Sequence, residues 1–109
     1  MGFLDFLKGK KRRGITFEGG PGDTIERAVI IRGVPNNALG VEAEYRYLAW
    51  KFGRPGIDWE LVGQGLLEPA GHRKYDKMHI KLADGTQRTI YFDITEFFGK
   101  GFDHFPLPW

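Results

Sequence analysis

At 109 residues the chain is long enough for one domain with its own core, 41% of it hydrophobic and 15% aromatic. It has no cysteine and no serine, which removes disulfides, thiolate catalysis, thiolate metal sites and serine nucleophiles together. The net charge of +2 is unevenly laid: residues 1–13 carry +4 and the remainder −2, which argues against a basic nucleic-acid-binding body.

Residues 1–13 read MGFLDFLKGKKRR. In a helix Phe3, Phe6 and Leu7 share one side with Leu4 at its edge, and Lys8, Lys10, Lys11, Arg12 and Arg13 follow directly. This is a small version of the apolar face plus cations found in interfacial anchors, so the segment is the expected contact with a protein partner or an anionic membrane surface. The alternative is a terminus that docks on its own domain or frays. Seven apolar-rich residues are too few to cross a bilayer, which takes ~20. A secretory signal would place its cations before the apolar run, so the expected location is the cytoplasm, either free or at the membrane periphery.

Residues 14–23 are dense in glycine and read as a flexible linker. Gly19-Gly20-Pro21-Gly22 lacks the Lys-Ser/Thr of a phosphate-binding loop. A single domain is expected over residues 24–100. Thr24-Ile25-Glu26 suits one helical turn, and Ala28–Val34 is a β-branched run that reads as a strand ended by Pro35. Pro35-Asn36-Asn37 supplies turn and N-cap chemistry, and a helix follows to Phe52 with Gly53 as its stop. Val41, Tyr45, Leu48 and Phe52 are spaced as one stripe and are expected to face the core. Ala43, Tyr47 and Trp50 then fall on the opposite side.

Three strands are expected next: Trp59–Leu67, Tyr75–Leu82 and Thr86–Ile94. Joining the last two by a three-residue loop, Ala83-Asp84-Gly85, pairs Ile80 with Arg88 and Met78 with Ile90. Every apolar side chain then stays on one face, with Gly85 in the left-handed position of a bulged turn. The strand from Trp59 has no clear face, and Gly63 or Gly65 marks a candidate bulge. The expected fold class is α+β in the order β-α-β-β-β, one main helix on an antiparallel sheet. Residues 101–109 form an aromatic, proline-bearing tail, for which the second helix face at Ala43, Tyr47 and Trp50 is the simplest cover.

No constellation points to catalysis, and no cofactor or metal is expected. His72, His79 and His104 show no ligand spacing. Asp93 with Glu96, and Asp103 beside His104, are weak candidates for a metal, and Asp93 is as well suited to capping the turn after it. Gly63-Gln64-Gly65 is a lone glycine pair inside a strand. The hairpin register puts Tyr75, Lys77, Lys81 and Tyr91 on the face away from the helix, an alternative platform for single-stranded nucleic acid. The segments GVEAEYRYL and DGTQRTIYFDITEFFGK resemble stretches of a family of small bacterial proteins that also begin with an MGFLDFL-like peptide. The resemblance spans about residues 24–100, by the usual extent of one domain. It implies a bacterial, cytoplasmic setting and attaches no activity or functional residue. The expected function is therefore a non-enzymatic interaction or peripheral-association module, with nucleic-acid binding and small-ligand binding or catalysis as alternatives.

Overall fold

The computed structural model describes residues 14–69 and 71–101. Five strands and one long helix follow in chain order: β1 (Thr16–Gly19), β2 (Val29–Arg32), α1 (Asn37–Phe52), β3 (Trp59–Leu67), β4 (Tyr75–Leu82) and β5 (Gln87–Asp93). The sheet order is β1-β2-β5-β4-β3, with α1 packed on one face. The fold is α+β, and the expected β-α-β-β-β succession follows one further strand, β1.

Two features differ from the expectation. The stretch read as a linker contains β1, which pairs antiparallel with β2, Phe17 opposite Ile31. Its glycine-rich exit is tied down too: the Gly22 carbonyl accepts the Tyr91 N–H at 2.8 Å, and Pro21 accepts from the Lys51 ammonium at 3.3 Å. The sheet is also mixed, because β2 joins β5 in parallel, Val29 opposite Phe92. That pairing arises because α1 carries the chain from β2 past β5 and β4 to the far edge of the sheet, where β3 forms.

The local signals hold where they were strongest. Thr24 Oγ1 accepts from Arg27 N at 3.2 Å and starts a 3-10 turn over Ile25–Arg27. Asn36 Oδ1 accepts from Leu39 N at 2.9 Å and caps α1. Gly53 ends the helix at φ 109°, its N–H on the Ala49 carbonyl at 3.0 Å. The β4–β5 register is the expected one, with Met78 opposite Ile90, Ile80 opposite Arg88 and Lys77 opposite Tyr91. Gly85 has φ 92°, and nothing lies within 4 Å of a side chain added there. Gly85→Val should therefore cost roughly 1–3 kcal/mol through backbone strain alone. Asp84→Asn should be close to neutral, since its side-chain oxygen still accepts from Thr86 N. Urea unfolding of both variants checks the pair.

The strand of undecided face is resolved by a bulge. Leu61 pairs with Ile80 and Gly63 with His79, so Val62 is the extra residue. Gln64 and Leu66, opposite Met78 and Asp76, thereby turn toward the helix side.

The helix stripe is the main correction. The buried residues of α1 are Gly40, Ala43, Glu44, Tyr47 and Leu48, a clean i, i+3, i+4, i+7, i+8 pattern. Ala43 and Tyr47, expected outside, are core; Val41, expected inside, is 47% exposed. Only Leu48 of the expected stripe is fully buried, while Tyr45 and Phe52 pack at its margin. The physical reason is Glu44. Passing over an acid at the centre of the stripe rotates the apparent apolar face. Gly40 fits the same stripe because the Phe97 ring presses on the helix there: a Cβ at residue 40 would lie 2.1 Å from it.

Candidate functional site

Among the described residues, concavities lie on either side of α1. The larger, about 540 Å³, opens between β1 and the C-terminal half of the helix. Phe17 and Val29 form its sheet wall; Tyr47, Trp50 and Arg46 form its helix wall. Tyr47 anchors it. Its ring lies 5.3 Å from Phe17, 5.6 Å from Trp50 and 5.6 Å edge-on to Phe92, geometry that aromatic quadrupoles favour. Burial pushes the Tyr47 phenol above its usual pKa. Trp50, by contrast, is 76% exposed. One flank of the groove is β1, whose outer edge is unpaired among the described residues.

The second concavity, about 280 Å³, lies between the N-terminal half of α1, the β3–β4 ribbon and the turn after β5. Val41, Leu66, Ile94, Phe97 and Phe98 make it apolar, and two acids, Glu44 and Asp76, sit within it. Asp76 is carried inward by the same alternation that buries Met78 and Ile80. It accepts from Gln64 Nε2 at 2.8 Å. Glu44 is 1% exposed, and no donor among the described residues reaches either of its carboxyl oxygens. Burial first, then a hydrogen bond to Asp76 and its charge, push Glu44 up to about 10, so it is protonated at neutral pH and donates that proton to Asp76. Neither acid was singled out from the sequence. The available signal was an acid on the apolar parity of β4 and another at the middle of an otherwise apolar helical stripe.

The outer sheet face brings together the four residues of the nucleic-acid alternative. Tyr75, Lys77 and Lys81 of β4 stand opposite Asp93, Tyr91 and Gln87 of β5. The face is heavily self-bonded. His79 spans Thr89 Oγ1 and Gln87 Oε1, both at 2.7 Å, and Lys81 faces Glu60 at 3.9 Å. Asp93 is covered by Arg73 at 2.7 Å and accepts from Thr95 N at 3.0 Å, capping the turn. Glu96 turns the other way, to Gly33 N at 2.8 Å and Arg32 at 3.6 Å. Asp93 and Glu96 therefore do not converge. Among the described residues no group of three or more histidines and acids is placed to hold a metal ion, and no helix is long and apolar enough to cross a membrane.

Phe3, Leu4, Phe6, Leu7 and the cations Lys8 to Arg13 lie outside the described residues, as does the tail from Phe102 onward. What the fold defines is an α+β domain with an aromatic groove on one side of its helix and an acid-bearing cavity on the other. The chain matches no family model, no curated protein and no solved structure.

Proposed function

We propose that the protein is a non-enzymatic interaction module that seats an apolar anchor of a partner protein in the groove between β1 and α1. The observation that carries this reading is Trp50, three-quarters exposed beside the buried Tyr47 in a groove whose only charged lining residues, among those described, are Glu18 and Arg46. Exposed tryptophans flanked by packed aromatics are the residues that dominate binding energy at protein interfaces. The partner segment is taken to be acidic around its anchor. Arg46 and Glu18 both line the groove, paired to Glu42 at 3.7 Å and Arg32 at 3.0 Å, so the bias toward acid rests on the +4 segment 1–13 that precedes β1 in the sequence. The setting proposed is cytoplasmic.

Peptide display selected against the full chain tests the proposal. Acidic sequences with one bulky apolar residue should be enriched, and Trp50→Ala should weaken the best of them by at least about tenfold, or roughly 1.4 kcal/mol or more. Peptides that bind Trp50→Ala equally well would end the groove reading. Co-sedimentation of the full chain with anionic vesicles, unaffected by Trp50→Ala, would instead place its association at a membrane through residues 1–13. The small-ligand alternative has its own observation, in the second cavity.

A further inference from the structure

The geometry points to a second binding site, the cavity holding Glu44 and Asp76, as a receptor for a small primary ammonium ion with an apolar body. The site is separate from the groove at Trp50 and does not depend on it.

Three features converge on this ligand class. The first is the unmatched acceptor capacity. Glu44 lies almost wholly out of water with no donor from another described side chain on either oxygen, its proton shared with the like acid Asp76, and Asp76, 8% exposed, receives one further hydrogen bond, from Gln64. Such groups are costly to bury without donors, and a neighbouring like charge adds to the cost. No lysine, arginine or histidine among the described residues forms an ion pair with either carboxyl. Lys74, which lies over the ring of the lining residue Phe98 at 5.9 Å, is turned to Glu68 at 3.8 Å.

The second feature is the wall. Apart from the acids and the Asn37 side chain, whose Oδ1 already accepts from Gly99 N at 3.1 Å, the lining is hydrocarbon and aromatic. Leu66 and Val41 remain nearly half exposed at the rim, so an apolar ligand body would cover surface that the fold leaves wet. At about 280 Å³ the space falls at the small end of ligand pockets.

The third feature is donor count. An ammonium carries three N–H donors and a full positive charge. Taking the place of the proton shared between Glu44 and Asp76, it can donate to both carboxylates and neutralise one of them, which a hydroxyl with a single donor cannot, and an anion would be repelled. A quaternary ammonium has no N–H and leaves the oxygens unmatched.

Binding also moves a proton. Free Glu44 holds its proton at neutral pH; facing an ammonium it gives that proton to solvent and the ligand's charge takes its place. Asp76 on β4 is the other titratable group facing it; β3 contributes the neutral Gln64 and Leu66, and the turn after β5 contributes Ile94, Phe97 and Phe98.

The test uses the full chain with butylamine, cyclohexylmethylamine and 2-phenylethylamine, each beside its alcohol isostere. Binding is followed by NMR shifts of Val41, Leu66 and Phe98 and by calorimetry in two buffers of different ionisation enthalpy. At least one amine should bind saturably below about 10 mM, about tenfold or more tighter than its alcohol, and should release close to one proton at pH 7. Glu44→Gln, near-isosteric and expected to fold, should remove the preference for amine over alcohol without weakening the alcohol. Asp76→Asn should reduce the preference in the same sense. Equal binding of amine and alcohol, an amine preference that survives Glu44→Gln, or no shift with any of the three amines would overturn the assignment.

Discussion

Glu44→Gln is expected to be more stable than the parent chain above neutral pH, and its stability should vary far less with pH. Glu44 titrates at about 10 in the fold against an ordinary value of 4.5, first because it is buried and second because Asp76 lies beside it. Between those pH values the folded chain keeps a proton that the unfolded chain releases. Stability then falls as pH rises, by about 1.4 kcal/mol per unit. The contribution is whole below pH 4.5 and is lost by the time pH passes about 10. On the order of 3 kcal/mol has gone by pH 7, a large share of the 5–15 kcal/mol typical of a domain. Glutamine carries no such proton. It brings an amide that must find partners in the same place, at about 1–2 kcal/mol where it fails. The net gain should be roughly 3–4 kcal/mol at pH 8.

Urea unfolding from pH 5 to pH 9 would measure both slopes. A parent profile that is flat, or that rises with pH, would mean that Glu44 is ionised and matched in the folded chain. Asp58 and Asp84 do not blur the result. Hydrogen bonds from the Arg54 and Thr86 backbone lower them, so their contribution is present above the ordinary aspartate range and is lost only as pH falls through it.

The same residue explains why the helix was legible in extent and illegible in phase. The Asn36 cap and the Gly53 stop are local chemistry, and both helix ends were readable from them. The inward face depends on what the rest of the chain encloses. With Glu44 admitted, Gly40, Ala43, Glu44, Tyr47 and Leu48 form one stripe; with it refused, the best remaining line runs through the exposed Val41. Places where a consistent pattern is broken by one expensive residue are where binding and catalysis are found. The misread residue and the candidate ligand site coincide.

The sheet divides in the same way. Between β4 and β5 the period of two and a short loop leave one register that keeps Met78, Ile80, Ile90 and Phe92 on one face, and that register forms. β1 was hidden because Thr16–Gly19 is four residues long and runs into glycines. Its alternation of Ile15 and Phe17 with Thr16 and Glu18 is the correct signal at the limit of length. The parallel pairing of β2 with β5 has no local signature, since a strand's neighbour after a helical crossover is chosen by the whole sheet. The groove at Trp50 follows from that choice: β2 carries β1 alongside the helix, and the wall formed by Phe17 and Val29 exists only in this strand order.

Trp59→Ala should give the largest loss among single core truncations, about 3–5 kcal/mol. Trp59 begins β3, is 2% exposed and lies 5.9 Å from the Tyr45 ring. Its indole Nε1 donates to the Gly53 carbonyl at 2.8 Å, the point where α1 stops. Its own carbonyl accepts from Gly56 N at 2.7 Å, and the preceding Asp58 carbonyl accepts from Ala83 N at 2.9 Å. The side chain thus ties the helix end to the core, while the backbone at Asp58 and Trp59 holds the loop back to the sheet and the base of the β4–β5 turn. Trp59→Phe separates packing from hydrogen bonding. It restores much of the ring while leaving the Gly53 carbonyl without its indole donor, which should cost about 1–3 kcal/mol. If Trp59→Phe proves as damaging as Trp59→Ala, the hydrogen bond at the helix stop dominates. If it is harmless, packing alone holds α1 to β3. Urea unfolding of the two variants decides between them, and an intermediate loss for phenylalanine is the expected result.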